Sequence, residues 1–130
     1  MKEAGVASHI RLEAPKRNVE LWRNNVGVLV DARGRPVRFG LANDSSKLNK
    51  KIKSSDLIGI TPVRITPDMI GQVIGVFTAV ETKKEDWKFN TNDERAVAQK
   101  KFHDIVKKSG GYAGFASSVK DFLHIIKHGG

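Results

Sequence analysis

Between Gln72 and Lys83 the chain runs through its longest apolar stretch and closes it on Glu81-Thr82-Lys83. So many Val, Ile and Phe side chains in one run must leave water, and the segment is read as a strand central to a sheet. Side chains alternate along a strand, so Glu81 and Lys83 share one face and Thr82 points away. A second apolar run, Leu57-Ile58-Gly59-Ile60, is opened by Asp56. Two buried strands that each carry an acid at the mouth limit the chain to folds built round a sheet.

The remaining segments supply helices for that sheet. Residues 2–14 read as a helix, with Val6, Ile10 and Ala14 four apart and Pro15 stopping it. Val19 to Val30 is β-branched and alternating, Asp31 to Arg35 supplies turn residues, and Pro36 to Phe39 returns as a hairpin. Residues 41–54 are polar and lysine-rich and read as a loop. Asp56 to Ile60 is a short buried strand, and 61–71, with Pro62 and Pro67, an irregular connection. Thr91-Asn92-Asp93-Glu94 has the pattern of a capping box for a helix to Lys108, with Ala98, Phe102, Ile105 and Val106 on its apolar face. Gly110-Gly111 ends it, Tyr112 to Ala116 is a strand, and Ser118 with Asp121 starts a last helix from Val119 to Lys127, ended by Gly129. The reading is one α/β domain over residues 1–130, a mixed central sheet flanked by helices, in the order αβββαβα.

Composition narrows the partners. The chain has 130 residues, enough for a core, and its 23 Lys+Arg against 14 Asp+Glu give a net charge of +9. That excess favours a polyanion, of which nucleic acid is the commonest. No stretch reaches membrane-spanning length and no secretory pattern opens the chain, so the expectation is an intracellular, cytoplasmic protein without membrane contact. With no cysteine, a metal would have to sit on carboxylates, carbonyls or imidazoles.

Hydrolysis of a phosphodiester needs a cation at the phosphate, an activated water and a stabiliser for the leaving oxygen. Mg²⁺ takes one or two carboxylates and keeps several waters. Asp56 and Glu81 supply those carboxylates if their strands are neighbours, the Thr82 backbone carbonyl a third oxygen, and Lys83 a cation for the water or the phosphate. Each piece also has an ordinary explanation: a Glu-x-Lys triplet is most often a surface ion pair, and a strand-opening Asp is common.

Ser54-Ser55-Asp56-Leu57-Ile58-Gly59-Ile60, then Gly75-Val76-Phe77-Thr78-Ala79-Val80-Glu81-Thr82-Lys83, then Gln99-Lys100-Lys101-Phe102, then Gly110-Gly111-Tyr112-Ala113 follow one another in this order. The order resembles the VRR-NUC branch of the PD-(D/E)XK nucleases. Leu21 to Val28 is similar to the first strand of the small phage-type members, and Phe115 to Phe122 to their last strand and helix. The resemblance implies a restriction-endonuclease-like core and a Mg²⁺- or Mn²⁺-dependent DNA endonuclease. It further implies a homodimer acting on branched DNA in the manner of a Holliday-junction resolvase, in a phage-encoded setting. Asp56 and Glu81 match the metal-binding acids, Lys83 the catalytic lysine and Gln99 the helix glutamine beside the site. A glutamate from the first helix is also implied. Glu3 is preferred for it, Glu13 competes, and Glu20 is third. The chain departs from the family in its lysine-rich segment before Ser54 and in the bulky Lys84-Glu85-Asp86-Trp87-Lys88-Phe89-Asn90.

Lys47, Lys50, Lys51 and Lys53 precede Asp56 and can deliver a DNA backbone to it; a solvated charged loop is the alternative. Arg23, with Asn24 and Asn25, can reach phosphates or serve the hairpin. Trp87 and Phe89, beside Lys84 and Lys88, read either as a stacking platform for an unpaired base or as buried packing. His124 and His128 have metal-ligand spacing on a helix, but no third ligand is evident. A non-catalytic nucleic-acid-binding accessory is the competing function, though such a protein has no need of Asp56, Glu81 and Lys83 together.

Overall fold

The structure, a computed structural model, describes residues 2–126. Lys127, His128 and Gly129, and with them the expected end of the last helix and half of the His124/His128 pair, lie outside the described residues. The chain is mixed α/β and divides into two compact units, Met1–Gly59 and Ile60–Gly130.

In the first unit, α1 (Glu3–Glu13) passes into a 3-10 turn at Ala14–Arg17, where Pro15 takes an early position and so needs no amide hydrogen. Asn18 stops the turn in a left-handed conformation at φ 61°. The expected single strand over 19–30 is two strands, β1 (Glu20–Arg23) and β2 (Gly27–Val30). β2 forms the expected antiparallel hairpin with β3 (Pro36–Phe39), closed by Asp31, whose Oδ1 accepts the amides of Arg33 and Arg35. The break at 24–26 is imposed by Asn24. Its side chain donates to Ser54 Oγ (2.8 Å) and Ser55 O (2.9 Å) and accepts from the Leu41 amide, while its own amide donates to Asp56 O (2.8 Å). Asn24 thereby acts as a structural fastener. Buried Asn43 does the same for the hairpin, donating to Gly27 O and Phe39 O and accepting from Arg38.

The lysine-rich segment expected to be a loop contains α2 (Ser46–Lys51), capped by Ser45, whose Oγ accepts from the Leu48 amide. β4 (Leu57–Ile60) pairs with β1. Gly59 is obligatory there, because a Cβ would lie 1.8 Å from Glu20 O.

The second unit is a β-α-β-α arrangement. β5 (Thr78–Thr82) and β6 (Tyr112–Ala116) are parallel, paired Thr78↔Tyr112 through Thr82↔Ala116 and joined through α3 (Glu94–Lys108). Parallel neighbours need such a crossover. α4 (Val119–Ile125) follows, capped as expected by Ser118, with Asp121 reaching back to Ser117. Alternation along β6 separates the helices: Phe115 meets His103 of α3, whereas Gly114 lies against Ile125 of α4. The cap of α3 is Asp93, whose Oδ1 accepts from the Ala96 amide, and not Thr91. Its buried residues are Ala96, His103 and Val106, whereas Phe102 and Ile105 are 37% and 44% exposed, so the buried face is rotated from the one expected.

Two further expectations fail for a common reason. Residues 72–77 lie outside any strand, and Val73 is 97% exposed. β6 begins only at Tyr112, after the turn at Gly110, so the ladder reaches back no further than the Phe77 carbonyl, which accepts from the Tyr112 amide at 2.8 Å. In place of one central sheet, the described residues form three two-stranded sheets, β1-β4, β2-β3 and β5-β6.

Candidate functional site

Glu81 and Lys83 emerge on the α3 side of β5, as the two-residue period requires, and Thr82 faces away and is exposed. Gln99 rises from α3 between them. Its Nε2 donates to Glu81 Oε1 at 2.8 Å, and its Oε1 accepts from Lys83 Nζ at 2.9 Å. The amide orientation follows from chemistry, since a carboxylate only accepts and an ammonium only donates. Gln99 therefore links acid and base without letting them neutralise each other directly. Both bonds involve a charged partner, the stronger class.

Around this chain of contacts lie groups from neighbouring elements. The Trp87 amide donates to Lys84 O at 3.0 Å, closing a turn directly after β5. The indole packs on Phe115, centroid to centroid 4.6 Å, with Phe89 5.9 Å from Phe115. Lys83 Nζ stands 5.1 Å from the Trp87 centroid and 5.6 Å from that of Phe115. Beneath them His103, 4% exposed, meets Phe115 edge-on at 4.7 Å. Burial pulls the His103 pKa below the ordinary imidazole value and the Lys107 charge adds to this, while Glu81 opposes it. An open cavity of about 390 Å³ is lined by Glu81, Arg95, Ala98, Gln99, Phe102 and His103.

The structure thus brings together three of the expected site residues, Glu81, Lys83 and Gln99, and adds two that the sequence reading missed. Arg95 and His103 stand four before and four after Gln99, so they share its stripe of α3. That spacing was the available signal, masked by an apolar face drawn through Phe102 instead. Lys84 and Lys88 are exposed beside the Trp87 turn, in the same unit.

The other expected residues belong to the first unit. Asp56 is exposed at the mouth of β4, its carbonyl holding the Asn24 amide. Lys47, Lys50 and Lys51 lie on α2 at spacings of three and four, which groups them on one side, and all are exposed. Lys53 hydrogen-bonds Asn49, and Arg23 ends β1, exposed. Among the helix-1 acids, Glu13 is engaged by Arg17 (2.9 Å) and Lys16 (3.8 Å), whereas Glu3 is exposed in the first turn of α1. Glu20 lies in β1.

Comparison with family models, with curated proteins and with solved structures gives no match. What the chain can do therefore rests on its own chemistry. Among the described residues no three His, Asp or Glu side chains converge on one point. The cavity offers one carboxylate, Glu81, whose Oε1 is engaged by an amide. A hard cation that keeps several waters accepts such a partial oxygen shell. No helix among the described residues is long and apolar enough to cross a membrane.

Proposed function

We propose that this chain is a divalent-metal-dependent DNA endonuclease of the PD-(D/E)XK type, in its VRR-NUC branch, hydrolysing phosphodiesters of branched DNA. The observation that carries the reading is the linked set Glu81–Gln99–Lys83, with hydrogen bonds of 2.8 and 2.9 Å. An isolated Glu-x-Lys surface pair has no use for a half-buried amide holding its members apart. A nuclease does: Glu81 must keep an oxygen for Mg²⁺ or Mn²⁺, and Lys83 must keep its charge for the phosphate or the attacking water. The Thr82 carbonyl is a further oxygen ligand in this reading, and Asp56 and Glu3 are the acids that the family resemblance adds to it. When bound, the cation supplies charge at the phosphate and lowers the cost of forming a hydroxide nucleophile.

The chain's own residues do the remainder. Gln99 orients the Glu81 carboxylate and fixes Lys83. Arg95, on the wall of the same cavity, meets a phosphate oxygen. The exposed lysines of α2, with Arg23, Lys84 and Lys88, hold the DNA backbone, in keeping with a net charge of +9. A homodimer in the cytoplasm of a phage-infected cell completes the reading, since paired cuts across a junction call for two sites.

The test is incubation of nicked, forked and four-way DNA with Mg²⁺ or Mn²⁺, with and without chelator. Cleavage is expected to require metal and to vanish in Glu81→Ala and Lys83→Met. Chelator-resistant cutting, or cutting unchanged in Glu81→Ala, refutes the metal mechanism. Tight binding with no cutting of any substrate leaves a non-catalytic nucleic-acid-binding protein.

A further inference from the structure

We infer that Trp87 is a positioning residue for Lys83: its ring holds the ammonium in place while leaving the charge and the outward N–H groups available to a phosphate. Three contacts fix Nζ, namely Gln99 Oε1 at 2.9 Å, the Trp87 ring at 5.1 Å and the Phe115 ring at 5.6 Å. Both ring distances fall within the roughly 6 Å over which a cation is attracted to an aromatic face. An ammonium has three donors and Gln99 takes one of them. A carboxylate in the place of Trp87 would also hold Lys83, but it would cancel the charge and compete with an incoming phosphate. A ring does neither. The turn closed by the Trp87 amide on Lys84 O brings the indole back over the strand end it has just left. Phe115 sits directly across from Glu81 in the β5–β6 register, so the second ring is set by the sheet itself.

The competing account is that Trp87 only fills space against Phe115 and Phe89, and two substitutions separate them. Trp87→Phe keeps a ring face, whereas Trp87→Leu keeps apolar bulk and removes it. The direct readout is the ¹H–¹⁵N correlation signal of the Lys83 ammonium in the full chain at low temperature, assigned by its disappearance in Lys83→Met. The signal is expected to be shifted by the ring currents of its neighbours, to move towards the values of the exposed lysines in Trp87→Leu, and to stay near its native position in Trp87→Phe.

The catalytic consequence rests on the nuclease reading: kcat for DNA cleavage is expected to fall about five- to thirty-fold in Trp87→Leu and much less in Trp87→Phe. A Lys83 signal unmoved in Trp87→Leu overturns the inference, as does equal loss of kcat in the two variants. The ammonium signal is read without substrate. A chain that cuts no DNA therefore refutes the nuclease reading alone, and the signal still decides whether Trp87 holds Lys83.

Discussion

Gln99→Glu changes one atom group at the centre of the site and has a calculable consequence. The introduced carboxylate can still accept from Lys83, but it presents an acceptor where Glu81 Oε1 now receives an N–H at 2.8 Å. Two ionised carboxylates at that separation repel by about 6 kcal/mol at an effective dielectric constant of about 20. The cheaper state keeps one proton between them, restoring a hydrogen bond. Holding a proton on a carboxyl of ordinary value near 4.3 costs about 3.7 kcal/mol at pH 7 and about 1 kcal/mol at pH 5. Solvent at this half-buried site, and Lys83 favouring the ionised form, reduce the pH 7 figure to about 2 kcal/mol. The sign follows from linkage: the native variant binds a proton that its unfolded chain releases, so its penalty grows as pH rises above about 4.3. Urea unfolding followed by tryptophan fluorescence at pH 7 and pH 5, with the native protein in parallel, measures the difference. Gln99→Met, which removes both hydrogen bonds and adds no charge, should show a loss that does not vary with pH. A Gln99→Glu penalty that is absent, or equal at the two pH values, would refute the Gln99–Glu81 contact.

Gly59→Ala should lower stability by about 3 kcal/mol or more, seen as a shifted urea midpoint, because the new methyl meets the Glu20 carbonyl at 1.8 Å and backbone cannot rotate aside. Val106, fully buried on α3, should cost about 2–3 kcal/mol as Val106→Ala, measured the same way. The His103 pKa is held below the ordinary 6.5, chiefly by burial and then by Lys107. The unfolded chain therefore takes up that proton first, and native stability should be level above pH 6.5 and decline as pH falls below it. Thermal unfolding between pH 7.5 and 5.5 should show that decline in the native protein and lose it in His103→Asn.

Local signals in the sequence carried far in this chain. The hairpin needed only Asp31 to Arg35 between two β-branched runs, and α4 needed only Ser118 with Asp121. The shared face of Glu81 and Lys83 follows from the strand period alone, and the place of Gln99 beside them was available only through the order of whole-chain motifs. Other features depend on partners distant in sequence. Asn24 breaks the expected strand because Leu41, Ser54 and Ser55 bond to its side chain and Asp56 O holds its amide. Asp93 displaces Thr91 as the cap because the backbone enters α3 two residues later than the capping-box pattern implies.

What the sequence by itself determined is which residues can share a face, because backbone periodicity is a local property of covalent geometry. What only the tertiary structure decided is where each face begins and ends and what stands opposite. The apolar run from Gln72 was long enough for a strand twice the size of β5, but a strand is stabilised by its neighbour's hydrogen bonds, and β6 supplies them only from Tyr112. The same register sets Phe115 opposite Glu81 and brings Trp87, His103 and Gln99 round one acid and one base, an assembly that no spacing along the chain encodes.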